Sequence, residues 1–264
     1  MNINLFLTTL YQRRIGMFWF SFGLVAYSWL MAWTWTFIGE MYEELLATMP
    51  PEMIAVWAPG DLELGSLGGY FQTEYLGMMW VLIVAAAIII YAAKAVSSEV
   101  AAGTMELLLA QPIARLQFIV TRIAAMFVYA AILTTATFLP IQILGPTYDI
   151  EIAGRTMALL YATGFLLISA IGSFAMMLSA SMRGGGRPGA ITGSLLAAMW
   201  ILQAITPFVE VAEDLEPLNL LTYWQPGDLI NEGVVLASSW WVYGGITVIS
   251  LAIAVVAFLR RDIT

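Results

Sequence analysis

The stretch "SSEVAAGTMELLLAQPIAR" (residues 97–115) interrupts a chain otherwise dominated by apolar runs. It follows "MMWVLIVAAAIIIYAA" (78–93), and another apolar run opens at Phe118. The stretch is too polar for hydrocarbon, yet holds too little Gly, Pro and Ser for a slack linker. Its spacing is helical. Ser97 and Ser98 stand where a helix is capped, and Glu99 falls in the first turn, where the dipole favours an acid. Glu99, Gly103 and Glu106 share one face, while Met105, Leu108 and Leu109 share another. Pro112 stops the helix before Arg115. The expectation is an amphipathic helix over about 97–111 at a membrane surface. On spacing alone it reads equally as a lever moved by a soluble partner or as a plain connector.

The flanking runs fix the class. The 264 residues are 61% hydrophobic and only 11% charged, with a mean hydropathy of +0.86, where soluble domains carry about 25% charged residues. Six segments are long enough to cross a bilayer at about 20 helical residues each: 17–38, 76–93, 118–143, 156–179, 190–209 and 240–259. The second is the shortest, with Lys94 able to snorkel from its end. The expected fold is an all-α membrane protein of six transmembrane helices. The apolar stretch of the first span exceeds the usual signal-peptide length and lacks a clear cleavage site, so it is expected to stay in the mature chain.

The basic residues orient these spans. Arg13 and Arg14 precede the first, and Lys94, Arg115 and Arg122 bracket the second connection. Arg183 and Arg187 separate the fourth and fifth, Arg260 and Arg261 follow the sixth, and only Arg155 falls on the other side. The positive-inside rule then places both termini in the cytoplasm. The connections 39–75 and 210–239 hold seven and six acidic residues and no Lys or Arg. A solvated acidic exterior is the simpler reading of these, attraction of cations the sharper one.

Several chemistries are excluded. The chain has no cysteine and no histidine, which removes thiolate and imidazole chemistry and His-based metal sites. Its single lysine, Lys94, precedes Ala95 rather than Ser or Thr, so no phosphate-binding P-loop exists. No span carries an ionisable residue near its centre; Arg122 sits near the inner end of the third and is expected to snorkel. Ion-coupled carriers and intramembrane hydrolases need such groups. Nothing points to nucleic acid.

The remaining segments have local readings. "NINLFLTTLYQRR" (2–14) spaces Ile3, Phe6, Leu7 and Leu10 helically, predicting an interfacial amphipathic helix rather than a frayed terminus. The first and last outer connections show short helical patterns broken at Pro50-Pro51 and Pro59-Gly60, with Trp224, Trp240, Trp241 and Tyr243 as interfacial anchors. "MRGGGRPG" (182–189) reads as a tight turn rather than a phosphate nest. Ser169 and Ser173, and Ala190, Ser194 and Ala198, are small residues four apart that suit close helix packing.

The 97–115 stretch also resembles a segment of ABC-2 type transporter permeases, whose pattern runs E-x-x-x-G-T-[LM]-E-x-L-L-x-x-P-[IV]-x-R. Glu99, Gly103, Thr104, Met105, Glu106, Leu108, Leu109, Pro112, Ile113 and Arg115 match it. "PEMIAVWAPGDLELGSLGGYFQTEYL" (51–76) is similar to the first outer loop of bacterial members. The resemblance implies a homodimer, or a pair with a paralogous permease, standing on two cytoplasmic ATPase subunits that hold ATP and Mg; this chain binds no cofactor itself. It implies that 97–111 is the coupling helix, with Glu99, Gly103, Thr104, Glu106, Leu108, Pro112 and Arg115 contacting or positioning the ATPase, and with Glu99 or Glu106 alternatively bracing Arg115. It also implies that Trp80, Met199 and Gln203 line a path for export of a hydrophobic or amphipathic substrate. A membrane sensor or assembly factor linked to an ATPase and acting on an extracytoplasmic protein is the alternative.

Overall fold

The computed structural model describes residues 3–48, 50, 65–101, 103, 114–182, 184 and 186–261. Most of the 97–111 helix and the 51–64 part of the first long connection lie outside these. Among the described residues all regular structure is helical. Six helices carry the apolar runs: α1 (Ile3–Ala47), α2 (Met79–Ala93), α3 (Arg115–Leu144), α4 (Gly154–Ser181), α5 (Arg187–Ile205) and α6 (Ala237–Arg260). Five are long and apolar enough to cross a bilayer alone. Leu67–Leu76 and α2 pass the same test only as a pair, meeting at a 42° bend, so the described residues hold five candidate spans, or six with the bent pair counted as one.

α1 corrects one expectation. Residues 3–14 are helical, but they do not form a separate interfacial element; they run into the first span as one helix of 45 residues. No proline interrupts residues 3–47, and Gly16 alone disfavours a helix interior by only about 1 kcal/mol. The helix continues past Ile38 through "GEMYEELLA". At 1.5 Å per residue it is about 67 Å long, more than twice the hydrocarbon thickness of ~30 Å.

The bend before α2 also has a local cause. Leu67–Phe71 is capped by Ser66, whose hydroxyl accepts from the Gly69 amide. It passes into a π-helical turn, Gln72–Leu76, closed by the Gly77 amide donating to the Gln72 carbonyl at 2.9 Å. A side chain at 77 would collide with that carbonyl, so glycine permits the turn. The last long connection clasps this segment. Asn231 accepts from the Gly68 amide (2.9 Å) and donates to Ser66 Oγ (2.7 Å), and Gln72 Oε1 accepts from the Gly227 amide (3.1 Å). Its own helical pieces are Glu210–Glu213, Glu216–Leu218, Leu220–Tyr223 and Pro226–Glu232.

α4 is the central helix. It packs most extensively on α6 and also touches α2, α3 and α5. Gly164 lets Trp80 and Phe138 approach, and Gly172 lets Ile88 and Met126 approach. Ser169 and Ser173 are fully buried, as packing residues should be. Ala190, Ser194 and Ala198 instead face outward on α5, so that set of small residues does not pack within the protomer. α1 lies along α3 in the same direction: Thr9 meets Arg122 at one end, and Trp29 Nε1 donates to Tyr148 OH at 2.9 Å near the other. α1 and α5 are the least covered spans.

Candidate functional site

The base of the 97–115 stretch is held by side chains from two other helices, α3 and α4. α2 ends at Ala93, and Lys94 to Val96 turn the chain into the helical turn Ser97–Ala101. Such a start leaves backbone amides without intrahelical partners. Ser97 and Ser98 do not cap them as expected: their hydroxyls reach back to the carbonyls of Ala93 (2.6 Å for Ser97) and Lys94. Ser179 on α4 does it instead. Its hydroxyl accepts from the amides of Val96 (3.2 Å) and Ser97 (3.0 Å) and donates to the Ala93 carbonyl (2.8 Å). One serine thus pins the elbow to the central helix.

Glu99 forms the second attachment. Its Oε1 lies 3.4 Å from Arg122 Nη2, with side chains 25% and 5% exposed respectively. Arg122 therefore does not snorkel, because the N-terminal part of α1 covers it. Its Nη1 donates to Thr9 Oγ1 at 3.3 Å, its guanidinium stands 5.1 Å from the Phe118 ring centroid, and its carbonyl accepts from Tyr91 OH at 3.0 Å. Among the described residues its Nε is buried and has no hydrogen-bond partner. A charge at this depth is expensive unless paired. Glu99 supplies the pair, so the first turn of the stretch is tied to α3, and through the same guanidinium to Thr9 on α1.

Arg115 is held by the chain end, while Glu106, one of the two acids considered for it above, lies outside the described residues. Arg115 donates from Nη1 to the Arg261 carbonyl at 2.9 Å. Arg261 in turn donates to the carbonyls of Ala180 (3.0 Å) and Met182 (2.9 Å), which the end of α4 leaves open. The far end of the stretch is thereby joined to the ends of α4 and α6. Gly103 is exposed at φ +70, a left-handed value that suits glycine, and among the described residues no atom crowds the position where a Cβ would stand. Thr104, Glu106, Leu108 and Pro112 lie outside the described residues.

The residues expected along a path are not brought together within the protomer. Trp80 is fully buried. Its Nε1 donates to Thr137 Oγ1 at 2.7 Å and its ring stacks on Trp224, centroids 4.8 Å apart; Trp224 Nε1 reaches the Leu76 carbonyl at 2.8 Å. In this conformation Trp80 has no surface to offer a path. Met199 and Gln203 are half-buried on α5, and the Met199 carbonyl accepts from Asn219 at 2.9 Å. Asp228, in the last connection, has its carboxyl pushed above the usual range by burial first and by the neighbouring Glu232 second.

A family model described as "ABC-2 family transporter protein" matches residues 36–263. The chain belongs to the ABC-2 transporter family. The match begins inside α1 and covers every later helix, so the permease region includes the elbow held by Ser179 and the Glu99–Arg122 pair. As an ABC-2 permease it is a multi-pass membrane protein, a transport membrane subunit of a family that associates with ABC ATPase partners. No curated protein gives a significant match to the sequence.

Sequence reasoning missed Arg122, Ser179, Thr9 and Arg261 as parts of this site. Arg122 carried a usable signal: a lone arginine four residues into an apolar run needs a partner, and the preceding polar stretch offered two acids, Glu99 and Glu106. Ser179 carried none, since its partners are backbone amides more than eighty residues away.

Proposed function

We propose that this ABC-2 permease is an exporter subunit for a hydrophobic or amphipathic substrate, driven through residues 97–111 by a cytoplasmic ATPase. The observation that carries the reading is the attachment of the elbow: Ser179 fastens its start to α4, and Glu99 fastens its first turn to Arg122 on α3 and through it to Thr9 on α1. A force on 97–111 has short, directional contacts through which to displace helices rather than bend a loop. Gly103, exposed and left-handed, suits a close approach of an ATPase surface there. Thr104, Glu106 and Leu108 would make the contact and Pro112 would end the helix. Arg115 holds the return to α3.

The active unit is a homodimer with both termini in the cytoplasm, and ATP and Mg reside on the ATPase. The outward face of Ala190, Ser194 and Ala198 on α5 supports a second copy meeting this one there, since small residues allow close helix approach. Met199 and Gln203, further along α5, then border the dimer axis and the path. The test is co-purification with the cognate ATPase in reconstituted vesicles. Glu106→Ala should lower ATP-driven transport while the permease stays folded, and unchanged transport would remove 97–111 from the drive. Vesicles that hydrolyse ATP yet move no apolar substrate would favour a sensor or assembly factor instead.

A further inference from the structure

We infer that the groove between α1 and α3 is a binding site for an anionic phospholipid of the adjoining leaflet, with Arg14 at its phosphate. Two open, shallow grooves share Ile132: the first is lined by α1 and met by Ile132 of α3, the second is lined by α3 and met by Val25 of α1. One, of about 870 Å³, is bordered by Tyr11, Arg14, Phe18 and Ser21. The other, of about 670 Å³, is bordered by Val25, Val128, Thr135, Leu139 and Ile143. Each is within the ~300–1,000 Å³ usual for ligand sites.

The walls follow the order of groups in a phospholipid. At one end Arg14 is the cation, its guanidinium held 3.5 Å from the centroid of the Tyr11 ring. Among the described residues no Asp or Glu borders either groove to compete for it. Two turns on, Ser21 borders the same groove. Beyond Ser21 the wall is hydrocarbon apart from Thr135. From Arg14 to Val25 is eleven residues, or about 16 Å of helix, close to half of the ~30 Å hydrocarbon thickness. A cation one leaflet's depth from the end of an apolar wall selects an anionic headgroup over a zwitterionic one. The site is independent of the transport reading, because it needs no ATPase and no substrate.

The test uses the full chain in nanodiscs of mixed phosphatidylglycerol and phosphatidylcholine, with retained lipid read by native mass spectrometry after transfer to detergent. The wild type should keep phosphatidylglycerol preferentially. Arg14→Gln should lower that retention about fivefold, Arg14→Lys should restore most of it, and phosphatidylcholine should not respond to either. Ile132→Trp, which fills the junction of the two cavities, should release both lipids. Equal retention of the two lipids by the wild type, or unchanged phosphatidylglycerol in Arg14→Gln, would overturn the assignment. So would efficient disulfide-linked dimers of Thr135→Cys in the membrane, since this otherwise cysteine-free chain would then hold a second copy in the groove.

Discussion

Breaking the Glu99–Arg122 pair from its two sides should have unequal effects, and the inequality follows from burial. Two opposite charges about 4 Å apart attract by about 4 kcal/mol at an effective dielectric of ~20. The side chain of Arg122 is 5% exposed and that of Glu99 is 25% exposed, so water screens the acid and reaches the arginine poorly. Glu99→Gln strands a buried guanidinium that already has an unpartnered Nε, and should destabilise the chain by about 2–3 kcal/mol. Arg122→Met leaves a carboxylate that can turn to solvent, and should cost about 1 kcal/mol or less. The double variant should be more stable than Glu99→Gln alone, giving a coupling energy of roughly 1–2 kcal/mol in a double-mutant cycle. Reversible unfolding in mixed micelles, read by tryptophan fluorescence, measures all four proteins. A coupling within about 0.5 kcal/mol of zero, or Arg122→Met more damaging than Glu99→Gln, would refute the argument.

Three further outcomes are expected. Ser179→Ala removes the partner of the Val96 and Ser97 amides, so those two should exchange hydrogen faster, and stability should fall by about 1–3 kcal/mol. Gly172→Val places a branched side chain against Ile88 and Met126, and overpacking should lower unfolding stability by about 1–3 kcal/mol. Asp228→Asn should stabilise the protein at neutral pH, because folding raises the carboxyl pKa and so disfavours its ionised form. That penalty is full above the folded pKa and vanishes below the unfolded value of ~3.9, so unfolding curves of variant and wild type should converge as the pH falls toward 4.

The all-helical membrane class was legible because hydrocarbon solvation acts on each span separately, leaving its mark as a run such as 78–93. The 97–115 stretch was legible as an element by contrast with its neighbours. What the chain concealed were contacts whose partners are distant. Ser179 looks like any small residue on a packed helix face, yet it caps an elbow formed by residues 93–97. Arg122 was read from its position near a span end, where snorkelling is the default, while the N-terminal part of α1 covers it. The continuity of α1 was missed for a related reason. A cluster such as Arg13-Arg14 marks a polarity boundary, and polarity boundaries need not be helix boundaries when nothing breaks the hydrogen-bond ladder.

Residues 104–108 should meet the ATPase directly, and the absence of native cysteine allows a clean probe. Single variants Thr104→Cys, Glu106→Cys and Leu108→Cys, assembled with the cognate ATPase and treated with a short amine-to-thiol cross-linker, should each join the two chains with a yield that changes on adding ATP. A matched Ser181→Cys variant, at the end of α4, should cross-link weakly or not at all. Strong ATP-sensitive cross-linking at Ser181→Cys with none at 104–108 would contradict the claim that 97–115 is where the drive enters.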